Sequence, residues 1–131
     1  MSDSYKPLLK AVIAKLKTDN VVAGDRVYTD IPQNETFPYV HVAVSAIPYA
    51  TKDTSGMEHT VQVQAFDRTA DPESVADIRS AVFNSLDRNE SGLTLDTGTL
   101  SVLEYNGTSD IFKEGDGVTW QGLIQFKAII F

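Results

Sequence analysis

The stretch Phe37-Pro38-Tyr39-Val40-His41-Val42-Ala43-Val44 decides the fold. Pro38 biases Phe37 toward extended backbone. Beyond it Val40, Val42, Val44 and Ala46 alternate with His41, Ala43 and Ser45, the period-two mark of a strand with one buried face. Pro48 is expected to stop this strand. The small and polar residues from Tyr49 to about 57 read as a long hairpin loop or flexible arm. From Glu58 a second strand is predicted, with Val61, Val63 and Ala65 on one face and Thr60, Gln62 and Gln64 on the other. Phe66 falls on the glutamine face, so that face is not expected to be simply bathed in water.

Working outward, Leu8, Leu9, Val12, Ile13 and Leu16 follow a helical period with lysines on the opposite side. Ser4 can cap this helix, and Pro7 is tolerated in its first turn. Gly24 makes a turn plausible, and Val27-Tyr28 begins a short strand that Pro32 ends before the polar turn Gln33-Asn34-Glu35-Thr36. A second helix is marked by Asp71 as cap, Pro72 at the first helical position, Glu73 at the positive end of the dipole, and Val75, Ile78, Arg79, Val82, Phe83 and Leu86 at 3 and 4 spacing. It ends near Asn89-Glu90-Ser91-Gly92. Leu100 to Tyr105 reads as a strand, and Glu114-Gly115-Asp116-Gly117 as a tight turn. The last strand, Val118 to about Ile130, sets Trp120, Gly122, Ile124 and Phe126 against Thr119, Gln121, Gln125 and Lys127. The order α-β-β-β-α-β-β predicts one two-layer α+β domain over residues 1–131. It has a mainly antiparallel or mixed sheet of about four main strands, with two amphipathic helices on one face. The apolar end Ile129-Ile130-Phe131 fits either a strand tucked centrally in the sheet or one completed by a neighbouring subunit.

Composition removes most chemistry. Without cysteine there are no disulfides, thiol nucleophiles or thiolate metal sites. No segment reads as a signal peptide or a membrane span. His41 and His59 are the only histidines, and no compact metal-ligand spacing surrounds them. Gly115-Asp116-Gly117 lacks the length and lysine of a phosphate loop. Asp67, Asp71 and Asp77 do not read as a carboxylate cluster, and Trp120 is expected to be a core or interface aromatic. The expectation is a protein that is not an enzyme and takes no cofactor or metal. Charge is distributed unevenly. Residues 1–26 carry five basic residues against three acids, and residues 27–131 carry six against fifteen, for a net charge of −7. This asymmetry serves either ordinary solubility, or the orientation of a subunit in an assembly and a wall past which DNA slides without sticking.

Several ordered pieces then combine. After the first helix come Arg26-Val27-Tyr28, Ile31-Pro32 and Phe37-Pro38-Tyr39-Val40. Glu58-His59-Thr60-Val61, Val63-Gln64-Ala65-Phe66-Asp67-Arg68 and the helix from Asp77-Ile78-Arg79 follow. Asp116-Gly117-Val118-Thr119-Trp120-Gln121-Gly122 and Gln125-Phe126-Lys127-Ala128 close the series. This set resembles the tail-completion or tail-terminator family of long-tailed bacteriophages and gene transfer agents, through essentially the whole chain. The resemblance implies a non-enzymatic virion structural protein that assembles in the bacterial cytoplasm and sits at the head-proximal end of the tail. It implies a homo-hexameric ring that ends polymerisation of the major tail tube protein and joins the tail to neck or head-completion proteins. DNA would pass through the lumen without specific binding, and no membrane is involved. Another head–tail connector adaptor, or a small protein-binding module, is the alternative. The candidate assembly-interface residues are Tyr49, Lys52 and Met57 in and beside the arm, Phe66 on the glutamine face, and Phe131 at the apolar end.

Overall fold

The alternation at Val40, Val42 and Val44 is realised as a long strand whose inward valines lie under two helices. A computed structural model describes residues 5–19, 26–29, 37–50, 55–68, 72–95 and 99–131. Helix α1 spans Tyr5–Asp19, and strands β1, β2 and β3 span Val27–Tyr28, Tyr39–Ala50 and Ser55–Asp67. Helix α2 spans Glu73–Leu86, a short 3-10 turn covers Glu90–Gly92, and β4 (Leu100–Lys113) and β5 (Trp120–Ile130) complete the sheet. The expected caps at Ser4 and Asp71, the turn at Gly24, the stop at Pro32, the turn at 33–36 and Lys52 lie outside the described residues.

The strands are ordered β1-β2-β3-β5-β4. β1 runs parallel to β2, and the other neighbours are antiparallel. The sheet is therefore mixed, with four long strands and one two-residue strand. The predicted α+β class, and the two helices on one face, are what the chain adopts. α1 packs on β1, β2 and α2, while α2 packs on β3, β5 and β4. Between the layers Leu8, Val12 and Leu16 of α1 and Val75, Ile78, Val82 and Leu86 of α2 meet Val40, Val42, Val61, Val63, Ile124 and Phe126, all essentially inaccessible to solvent. Phe126 lies at the centre of this layer, and Tyr105 meets it edge-on from β4.

Two strands run further than the sequence suggests. Pro48 does not stop β2, which continues to Ala50 with Pro48 opposite Met57. The reason is orientation. Val40 donates its N–H outward, to the Arg26 carbonyl on the β1 side. Every second residue of an unbroken strand points its N–H the same way, so at Pro48 the ladder with β3 loses nothing. Of the loop expected over about 49–57, residues 49–50 and 55–57 therefore belong to strands, and residues 51–54 lie outside the described residues. β4 likewise does not end at Tyr105. Asn106-Gly107-Thr108 looks like a turn, yet the register steps from Tyr105 opposite Phe126 to Ser109 opposite Ile124. Two extra residues are taken up there as a bulge, with Gly107 at φ 91°. Pro72 precedes the helix instead of opening it, since α2 begins at Glu73.

The chain end is tucked in. β5 lies between β3 and β4, Ile129 and Ile130 are buried, and Phe131 exchanges two backbone hydrogen bonds with Thr99 at 2.9 and 3.0 Å. Of the two readings for this apolar end, the central strand is the one realised.

Candidate assembly surfaces

The helices cover one face of the sheet, and no described segment covers the other. Register places four residues side by side at one end of this open face: Tyr39 of β2, Phe66 of β3, Gln121 of β5 and Phe112 of β4. Phe66 stacks on Tyr39 with ring centroids 5.2 Å apart, and Phe37 packs at a tilt against Tyr39 at 5.0 Å. The Phe37–Pro38 peptide is cis. The Arg68 guanidinium lies 4.8 Å above the Phe37 ring, and its Nε donates to Thr119 Oγ1 at 3.0 Å.

The turn into β5 is held by Asp116. Its Oδ1 accepts from the backbone N–H groups of Val118 and Thr119, each at 2.9 Å, and its Oδ2 accepts from Thr119 Oγ1 at 2.7 Å. The Thr119 hydroxyl, those two N–H groups and the Arg68 charge together hold the Asp116 carboxyl down at about 2. Gly117 supplies the positive φ that the turn requires. Aromatic, cationic and anionic groups thus border one shallow recess of about 300 Å³, lined by Phe37, Tyr39, Phe66, Arg68, Asp116 and Thr119. The recess was missed from sequence because its parts come from three distant segments. The one local signal was Asp116 placed two and three residues before the N–H groups it accepts from.

The middle of the open face is built from amides. Asn106 donates to Gln125 at 3.2 Å, Gln125 donates to Gln62 at 3.0 Å, and His41 Nδ1 meets Gln64 Oε1 at 3.0 Å. His41 Nε2 lies 3.0 Å from the Thr29 carbonyl, so both ring nitrogens are engaged. Lys127 pairs with Glu104 at 3.8 Å beside this array. His59 points the other way, fully buried beneath the helices and flanked in register by Ala46 and Ala128.

The structure divides the predicted interface residues between two ends. Met57 is half-buried and faces Pro48 and Ile130 across the ladder, Tyr49 pairs with Gly56, and Phe131 follows β5 at the same end with 39% of its surface exposed. Phe66 lies nine residues along β3, roughly 30 Å away at about 3.3 Å per residue. Tyr49, Met57 and Phe131 are brought together, Phe66 belongs to the aromatic recess, and Lys52 lies outside the described residues. Among the described residues no three histidine, aspartate or glutamate side chains gather as a metal-ligand group, and no helix is long and apolar enough to cross a membrane.

Comparison with known proteins adds a family and a fold. The sequence model of the family described as Tail completion protein gp17 matches residues 10–130. A chain in a solved structure of the virion of a native gene transfer agent particle superposes with a TM-score of 0.86 at 20% identity, covering 99% of this chain and 98% of that one. A search of curated proteins returns no match.

Proposed function

The chain belongs to the tail completion protein gp17 family, structural proteins of the phage-type tail, and from that premise we propose that it closes the tail tube as a homo-hexameric ring at the head-proximal end. In this reading the ring ends addition of the major tail tube protein and presents a surface to neck or head-completion proteins, without catalysis. The similarity in fold to a gene transfer agent virion chain supports a place in such a particle.

The observation that carries the reading is the separation of three kinds of surface on one small sheet. A ring subunit needs two lateral faces for its neighbours and two axial faces for its partners above and below. The aromatic recess around Phe66 and Arg68 offers one axial end. The end bearing Tyr49, Met57 and Phe131 offers the other. The open amide face is then free to line the lumen. Along its middle, among the described residues, Glu58 and Glu104 stand against Lys127, and Lys127 is paired with Glu104. Duplex DNA passing such a wall meets amides that bond one another and carboxylates that repel its phosphates.

The test is assembly of particles without this gene. Overlong tails, or tails that fail to join heads, are expected. Tails of normal length joined to heads overturn the proposal. Light scattering on the purified protein is expected to give about 86 kDa, six times 14.3 kDa.

A further inference from the structure

The sheet order puts β1 and β4 at opposite margins, and the charges divide along the same line. At the first margin α1 carries Lys6, Lys10, Lys15 and Lys17 against Asp19 alone, and Arg26 precedes β1. Lys6, Lys10 and Lys17 are exposed, and Lys15 pairs with Asp19 at 2.9 Å. Among the described residues from 5 to 29 there are five basic residues and one acid, a net +4. At the second margin β4 and its turn carry Asp110 and Glu114 against Lys113, and the neighbouring α2 exposes Glu73 and Asp77. Among the described residues from 73 to 119 there are eight acids and three basic residues, a net −5.

From this division we propose that one copy of the chain docks its basic α1–β1 margin against the acidic β4 margin of the next copy. The inference rests on the ring reading above and adds to it which edges meet. Contact between two like margins, as a two-fold dimer would make, sets lysine against lysine or carboxylate against carboxylate. Contact between unlike margins satisfies both and leaves each copy with one margin of either sign still to fill, which is the condition for a closed ring. Exposed pairs of this kind are individually weak and screened by salt, so the charges select the partner edge and its direction more than they supply affinity. β4 is also an edge strand, since among the described strands only β5 pairs with it, and Asp87 and Arg88 engage its backbone at Tyr105 and Leu103 alone. Its 14 residues with two register shifts form an irregular edge that a mating surface can fit.

Charge reversal with complementation tests this in cells assembling complete particles. One variant carries Lys6→Glu, Lys10→Glu and Lys17→Glu, and the other carries Asp110→Lys and Glu114→Lys. Each alone is expected to lower the yield of normal-length, head-joined tails by about tenfold or more. Making both in one cell is expected to restore the yield, because an alternating ring pairs the two reversed margins with each other and the two unreversed margins with each other. Circular dichroism and thermal melting of each purified variant should match the parent, so that loss of yield is not loss of fold. Undiminished yield with either variant alone overturns the proposal. Failure of the pair to complement also overturns it, since the margins would then be meeting other proteins. Failure of the ring reading shows separately, as normal joined tails when the gene is omitted.

Discussion

Asp116 shows how one exposed carboxylate can organise the end of a sheet. It accepts from two backbone N–H groups and one hydroxyl, and Arg68 lies 3.7 Å away. Its pKa falls from the ordinary 3.8 to about 2, so folding favours the ionised form. The stabilisation is complete above about pH 4 and is lost as the pH falls toward 2. Asp19, lowered by hydrogen bonds from Lys15 and Ser85, acts in the same direction. Thermal melting between pH 5 and 2 is therefore expected to show a smaller acid-induced drop for Asp116→Asn than for the parent, with part of the drop remaining through Asp19. An identical pH profile would remove Asp116 from this role. The glycines beside it announced a turn in the sequence, but the accepting geometry did not, because the same residues also suit a plain hairpin.

At the scale of elements, α2 approaches β5 closely at Gly122. A Cβ there would sit 3.2 Å from the Val75 carbonyl oxygen and 3.5 Å from the Val75 Cβ. Gly122→Val should force helix and strand apart and cost about 1–3 kcal/mol, read as a lower denaturant midpoint at unchanged slope. Gly122→Ala should cost less, and a neutral valine variant would contradict the close approach. The helices, the alternating strands and the buried face were legible because Val40–Val44, Val61–Ala65 and Val75–Leu86 carry strong periods of their own. Strand ends were not. Pro48 breaks a strand only where its N–H is needed by a neighbour, and that depends on which side the neighbour lies. Asn106-Gly107-Thr108 signals a turn only if no partner strand absorbs the extra residues, and β5 does absorb them. Both decisions belong to sheet order, which local sequence does not contain.

For the whole molecule, the separation of surfaces turns the open face into the part that should be least tolerant of positive charge. The family resemblance was legible in the sequence as an ordered series, yet Phe66 and Phe131, named together as interface residues, lie at opposite ends. Only the register of β3 with β2 and β5 reveals that distance. If the amide array lines the lumen, its neutrality is functional, and lysines placed there should change what DNA does while leaving the subunit folded. Gln62 and Gln125 are half-buried and face each other across the ladder, and Gln125 also accepts from Asn106, so Gln62→Lys with Gln125→Lys should cost two hydrogen bonds and the repulsion of facing cations, about 2–3 kcal/mol. Six copies would then ring the passage with twelve cations. Such an assembly is expected to retain duplex DNA in a filter or mobility assay at low salt and to release it as salt rises. The parent should show no binding across the same range. In particles, the substituted ring should slow ejection without altering tail length. Equal DNA binding by parent and variant would mean that the amide face does not meet DNA, and would turn the search for the lumen to another face of the subunit.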